Sequence, residues 1–411
     1  MNVKFLSTVI TVCLYNLAWT QSEAPQVIPG QYIVTLKETA VQPLVLSITI
    51  ESENRQDYYN NSDQQRQTGL AKIREVERDA RIDAANVIAE YMDVIVGFTA
   101  KMDQQQVQIL RSNPAVDQVI EDYSFQIEPT PEEETPGEVT ANAGQVQTCA
   151  VTNAGGFSDG SSKSTWIWIV DTGVDLDHPD LNVLSTAPYA KSFVSGQTID
   201  DQNGHGSHVA GIAAAKNNNF GVVGVSAGAT VVPVKVLSNS GGGSFSALLS
   251  GLNHVATYKH TNDVVNMSVG AFPVANCQTS NPALFTAIKN LGNAKVWVCI
   301  AAGNDGCDAL QNVPGCFNST RVYTVGSMTC GQECSSFSNF NKTVVDWLAT
   351  GNAVYSTFKN GLYATLSGTS MATPVVAGIC HARVAPPLSG GLVSCGNNCV
   401  TKSSYKKAKR Q

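Results

Sequence analysis

The chain has 411 residues, 43% hydrophobic and 14% charged, with 34 glycines, 11 cysteines and a formal net charge of -7. That length exceeds one typical hydrophobic core and predicts two folded units. The composition excludes a disordered or fibrous chain, and the negative balance argues against a nucleic-acid partner. The one basic run, Lys406-Lys407-Ala408-Lys409-Arg410, reads as a solvated terminus.

Residues 1–22 read as a secretory signal: Lys4 gives the positive start, residues 5–19 the apolar stretch, and Ala18 to Ser22 the small-residue exit. The apolar stretch is too short, and too interrupted by Asn16, to span a bilayer, so the expectation is a secreted, extracellular monomer with no membrane segment. Ten cysteines remain once Cys13 leaves with the signal, all after residue 145. An even count in a secreted chain favours disulfides. Metal binding is the competing reading of Cys330 with Cys334 and of Cys395 with Cys399, with little His or Cys support nearby.

Residues 28–127 predict a small α+β unit. Residues 31–37 form a β-rich run, and a helical pattern over 69–91 carries Leu70, Ile73, Val76, Ile82, Val87 and Ile88. A strand is predicted over 93–102. Asp103 with Gln106 forms a capping box for a helix ended by Asn113-Pro114, and 116–122 alternates as a last strand. Residues 128–144 then make an acidic linker, rich in glutamate and proline, that cannot bury a core and should be open to cleavage.

Across 145–411 the pattern changes. Apolar runs at 166–170, 231–237, 263–269, 295–302 and 321–327 alternate with helical stretches at 205–215 and 245–259. Such alternation predicts an α/β fold, a doubly wound parallel sheet covered on both faces, preceded here by the small α+β unit. Functional groups in such sheets gather at the carboxyl ends of strands.

Three polar segments sit at strand ends or helix starts. Val170-Asp171-Thr172-Gly173 ends a strand, and Asp175 to Leu181 after it reads as a polar turn or an acidic calcium loop. His205-Gly206-Ser207-His208-Val209-Ala210-Gly211 opens a helix; its two histidines lack the partners of a zinc motif. Gly368-Thr369-Ser370-Met371-Ala372-Thr373-Pro374 sets a serine at the mouth of a helical run over 371–384, where opening N–H groups lack internal partners. Alone, that triplet would be a loop with an N-cap serine.

The order Asp, His, Ser in these settings resembles the subtilisin-like serine proteases, the proteinase K-like branch in particular, over about 145–400. The amino-terminal unit is similar to that family's inhibitory prodomain, through 30–37, 97–102 and 116–122. The resemblance implies a secreted serine endopeptidase made as a self-processing zymogen, acting on peptide or protein substrates through an acyl-enzyme. It makes Ser370 the nucleophile, His205 the general base and Asp171 the residue that orients it. Asn304, after the apolar run Val298 to Gly303, would share the oxyanion with the Ser370 N–H, and His208 would be structural.

Ser268-Val269-Gly270 and Ala301-Ala302-Gly303 match the walls of the primary pocket, whose small residues imply cleavage after large apolar or aromatic side chains, with Asp305 nearby for a basic one. The strip 238–246, with Gly241 and Gly242, would pair with extended peptide. Val375 stands where the family usually has histidine, and Ser207 replaces the commoner threonine. No cofactor is implied for the chemistry and no metal site is assigned, structural calcium staying open. The family's prodomain would be the enzyme's own inhibitor. A secreted α/β-hydrolase esterase, the rival class, would run Ser, Asp, His with its nucleophile in G-x-S-x-G. A catalytically dead peptide-binding homologue is the other rival; intact Asp171, His205, Ser370 and Asn304 argue against it. Cys307 with Cys316 is the local disulfide expectation, and sequons stand at Asn60, Asn318 and Asn341, with that at Asn266 in an apolar strand.

Overall fold

The computed structural model describes residues 24–41, 55–127, 144–274, 277–396 and 402–411. The leader, nearly all of the linker, Cys399 and the side chain of Asn60 lie outside what is described.

Residues 145–411 centre on a ten-stranded sheet. Its order is Leu388–Cys395, Ser403–Lys409, Val345–Thr350, Val322–Met328, Trp297–Ala301, Val264–Met267, Ile167–Asp171, Thr230–Lys235 and Asn182–Val183, with Lys191–Ser192 also on Thr230–Lys235. All pairings are parallel except the last hairpin. The central strands are buried on both sides, which is why they read as unbroken apolar runs. Ile167 and Ile169 face the helices His205–Ala214 and Thr369–Arg383, while Trp168 and Val170 face Phe245–Tyr258 and Pro282–Asn293. The chain leaves Ile167–Asp171 to one neighbour, Thr230–Lys235, and returns on the other side as Val264–Met267, so a crevice opens where Asp171 stands.

The amino-terminal unit contributes four antiparallel strands and the long helix Arg55–Asp79. Its last strand, Val116–Gln126, pairs antiparallel with Gly242–Ser244 from the glycine strip, in the register Gln126 to Gly242, Phe125 to Gly243 and Ser124 to Ser244. The buried Asp122 carboxylate accepts from the Ser246 N–H (3.2 Å) at the start of Phe245–Tyr258, and from Gln31 (2.6 Å). A carboxylate there meets the partial positive charge of the helix end.

Several expectations are corrected. The helical pattern over 69–91 is two elements: the helix stops at Asp79, Arg81 turns into the left-handed region (φ 57°), and Val87–Tyr91 is a strand against Gly97–Lys101. Ile88, one of the apolar positions of that pattern, is 47% exposed on the strand. The strand over 93–102 shortens because its first half docks on the second unit: Asn253 Oδ1 accepts from the Met92 and Asp93 N–H groups (2.9 and 2.8 Å), and Asn290 donates to Val94 O (2.7 Å).

The capping box at Asp103 and Gln106 is present as expected. Cys316 bonds Cys277, not Cys307, and Cys149–Cys330 and Cys334–Cys395 are the other described disulfides. Cys299 and Cys380 are free, so an even count did not mean that every cysteine is paired. The basic tail is strand rather than a solvated end: Ala408 and Tyr405 are buried, and Lys407 Nζ donates to Gln332 Oε1 at 2.6 Å. Asn318 is exposed, Asn341 half-buried and Asn266 fully buried.

Candidate active site

Asp171 is the last residue of its strand and is fully buried. Its Oδ1 lies 2.8 Å from His205 Nδ1 and accepts from the Thr172 N–H at 2.7 Å, while Oδ2 has no hydrogen-bond partner among the described residues. An aspartate on one imidazole nitrogen fixes the tautomer, leaving Nε2 to accept a proton. His205 opens its helix, and the next residue sets the distance. A Cβ on Gly206 would stand 1.9 Å from Gly173 O, so only glycine lets the helix start press against the loop after Asp171.

Asp201, which the sequence reading missed, organises this corner. Its Oδ1 accepts from Thr172 Oγ1, Asn203 N and Gly204 N (2.9, 3.0 and 2.8 Å), and its Oδ2 from the Ser207 N–H and hydroxyl (2.8 and 2.7 Å). The sequence carried little signal for it: Asp201 stands three residues ahead of the Gly204 N-cap, outside the ordinary capping position, and its bonds to the Gly204 and Ser207 N–H groups come from the turn between them. Burial pushes the His205 pKa down, but the charges of Asp171 and Asp201 and the hydrogen bond to Asp171 outweigh it, and the net direction is upward. Buried Lys235 donates to Thr172 O beside the same two aspartates, and its pKa is lowered by burial.

His208 lies one turn on, facing inward. Its Nε2 is 3.0 Å from both Val354 O and Ala364 O, and burial pushes its pKa down to about 3, so it stays neutral. Ser207, in place of threonine, keeps its hydroxyl on Asp201 and accepts from the Asp175 N–H at 2.9 Å. Val375 lies on the serine helix itself and is buried in the core.

Ser370 occupies the first turn of Thr369–Arg383 and lines one cleft with His205, Asn304, Ser268, Val269, Gly270, Ala301, Gly303 and Asp305. Its hydroxyl donates to Ser268 O at 3.3 Å, and Ser268 Oγ returns a bond to Ser370 O at 2.8 Å. Asn304 Oδ1 accepts from both the Thr369 N–H and hydroxyl, each at 2.8 Å. That double acceptance assigns the amide and leaves Nδ2 as the other end of the group. Gly303, at φ 98°, has no room for a Cβ, which would lie 2.4 Å from the amides of Asn312 and Asn339. Ala302 departs from the expected pocket wall: it is fully buried and packs with Phe340 and Leu348.

Gly241 and Gly242 stand in the strip that holds the amino-terminal unit: Gly241 O accepts from the Ile127 N–H (3.1 Å), and Gln126 donates to Ser240 O. Gln126 and Ile127 thereby enter the cleft that contains Ser370 and His205.

Away from the cleft, Asp175, Asp177, Asp200, Asp201, Asn360 and Gly361 line an acidic pocket. Burial, with Asp177 adjacent, raises the Asp175 carboxyl to about 6, and its Oδ2 accepts from the Gly361 N–H at 2.7 Å. Among the described residues no three His, Cys, Asp or Glu side chains converge as a metal site would require. Nor is any described helix long and apolar enough to cross a membrane.

Comparison with known proteins gives two matches to family models. Residues 162–383 match the subtilase family and residues 31–128 the peptidase inhibitor I9 family. The chain is 31% identical to a cuticle-degrading protease of Metarhizium anisopliae, over 74% of this chain and 76% of that protein. It is 31% identical to subtilisin NAT of Bacillus subtilis subsp. natto, over 76% and 77%, and 30% identical to proteinase R of Parengyodontium album, over 75% and 77%. A solved cold-adapted subtilisin-like serine proteinase is 33% identical, with a TM-score of 0.46 over 55% of this chain and 76% of that one.

Proposed function

From the premise that this chain belongs to the subtilase family of serine endopeptidases and carries an I9 inhibitor prodomain, we propose that Asp171, His205 and Ser370 are its catalytic triad. The observation that carries the reading is the 2.8 Å contact of Asp171 with His205, whose ring lines the same cleft as Ser370. In this reading the Ser370 hydroxyl swings from Ser268 O to His205 Nε2, which takes its proton as the oxygen attacks the scissile carbonyl. His205, now charged, is stabilised by Asp171 and gives the proton to the leaving amine. Water then hydrolyses the acyl-enzyme by the same steps in reverse order.

Charge on the tetrahedral oxygen would be met by Asn304 Nδ2 and the Ser370 N–H. Donors fixed in advance cost no reorganisation when that charge appears. Extended substrate would pair with Gly241 and Gly242, as Gln126 and Ile127 do now, and place one side chain between Ser268-Val269-Gly270 and Ala301 and Gly303. The small walls favour a large apolar or aromatic side chain there, with Asp305 at the rim for a basic one.

The amino-terminal unit, strand-paired across the cleft, acts as the inhibitor and stays bound after the linker is cut, until it is degraded. The leader directs the protein outside the cell. No cofactor takes part in the chemistry, and calcium, if bound, is structural.

An organophosphonate serine probe tests the reading. It should label Ser370 in the processed protein and fail on Ser370→Ala, and a peptide library should show cleavage after large apolar residues. A folded, processed protein that takes no label and cuts no peptide would leave only the peptide-binding alternative.

A further inference from the structure

The amino-terminal unit is held at a second place, at the other end of the sheet from the cleft. Asp263 stands just before the strand Val264–Met267, at its amino end, whereas Ser268 at its carboxyl end faces Ser370. At about 3.3 Å per residue the two ends are roughly 16 Å apart. Arg55, the first residue of Arg55–Asp79, inserts its guanidinium there. Nη1 donates to Asp263 Oδ2 (2.6 Å) and Tyr258 O (3.2 Å), and Nη2 to Asp263 Oδ1 (2.8 Å) and Ser164 O (2.9 Å). The guanidinium carbon lies 3.5 Å from the centre of the Trp166 ring. Arg55 is 9% exposed and Asp263 is fully buried.

Every group that receives this cation belongs to the peptidase unit, and the carboxylate is held without it. Asp263 also accepts from the Trp166 N–H, the Trp168 indole and the His260 N–H, each at 2.9 Å. Trp166 is braced in turn, with Trp168 and Tyr189 edge-on at 5.4 and 5.0 Å. Two parallel N–H donors to one carboxylate, two carbonyl acceptors and an aromatic face below fit a planar guanidinium. An ammonium is a point donor that cannot fill the fork and the carbonyls together.

We propose that Asp263, Ser164 O, Tyr258 O and Trp166 form a preformed arginine socket on the peptidase unit, occupied in cis by Arg55. The socket latches the inhibitor independently of the cleft. On release of the amino-terminal unit, a step that rests on the zymogen reading above, it becomes a docking point for an arginine side chain of a protein substrate or inhibitor.

The test uses the full chain with Ser370→Ala, so that its outcome does not depend on catalysis or processing. Arg55→Ala in that background empties the socket, and the probes are N-acetyl-arginine amide and N-acetyl-lysine amide at up to about 10 mM. The expected result is a saturable change in tryptophan fluorescence and a raised Tm with the arginine probe, at least tenfold weaker binding of the lysine probe, and no response from the chain that retains Arg55. Equal binding of both probes, no binding, or the same response with Arg55 present overturns the proposal. Should Arg55→Ala fail to fold, Arg55→Lys decides: a Tm several degrees below the parent is expected, and an unchanged Tm shows that the socket does not select a guanidinium.

Discussion

Asn304 and Thr369 are locked together: one amide oxygen takes both the N–H and the hydroxyl of the residue that precedes Ser370. The side chain proposed to hold the oxyanion is thereby registered to the nucleophile's own helix. Thr369→Val keeps the N–H bond and loses the hydroxyl's bond to the amide, about 1 kcal/mol in fixing it, along with the bond that the hydroxyl accepts from the Gly303 N–H. Steady-state kinetics of the processed enzyme should show kcat down about fivefold with KM within twofold. Asn304→Leu, which removes the donor itself, should lower kcat by about 10²–10³-fold, as loss of this donor does in subtilisin. Unchanged turnover in a folded Asn304→Leu protein would take that residue out of the mechanism.

Asp201 should set the acid limb of the pH profile. Only neutral His205 accepts the Ser370 proton, so activity falls as pH drops through the His205 pKa, which stands above its usual value because Asp171 and Asp201 overcome burial. Asp201→Asn removes one of the two negative charges that favour the protonated ring. The acid limb of kcat/KM should therefore move to lower pH while the alkaline limb stays. A limb that does not move, or moves upward, contradicts this role.

Much of this arrangement was legible in the chain because short motifs carry their own setting. An aspartate closing an apolar run, and histidine and serine each opening a helix beside glycine, point to the proposed chemistry and fix the place on the sheet. What stayed hidden depends on distant partners. Nothing near Asn304 in sequence shows that Thr369 holds it, 65 residues on. Cys316 lies close to Cys307 along the chain but meets Cys277, because the loops after neighbouring strands are brought side by side. Val87 to Tyr91 read as helix because its apolar spacing continues the preceding pattern; the left-handed turn at Arg81 breaks that continuity. The burial of Ala302 follows from the backbone direction after a strand, which composition does not encode.

Cys299 and Cys380, the free cysteines among the described residues, should be silent until the protein unfolds. Cys299 on a central strand and Cys380 on the serine helix are both fully buried, and burial, with Cys380 adjacent, raises the Cys299 thiol well above its usual range. The reactive thiolate is therefore suppressed. Alkylation of the native, non-reduced protein should spare both residues. Alkylation in denaturant without reductant should modify both, while Cys149, Cys277, Cys316, Cys330, Cys334 and Cys395 need reduction first. A cross-linked peptide carrying Cys299 and Cys380 would show a disulfide instead of two thiols.

Self-processing should follow from the way the amino-terminal unit enters the cleft. Phe125, Gln126 and Ile127 run along the glycine strip, and Gln126 and Ile127 line the cleft with Ser370, so the cut is expected close behind them in the sequence. An intramolecular cut has the advantage of proximity and needs no encounter between two molecules. Cleavage is expected between about Gln126 and Gln145, in the acidic linker, with the freed prodomain still held by strand pairing and by Arg55 until it is degraded. Ser370→Ala should leave the two units covalently joined. Both forms, expressed in a protease-deficient host, are compared on a denaturing gel, with the new amino terminus read by mass spectrometry. If the Ser370→Ala chain is shortened at the same site and rate as the wild type, another protease makes the cut and the triad does not process its own chain.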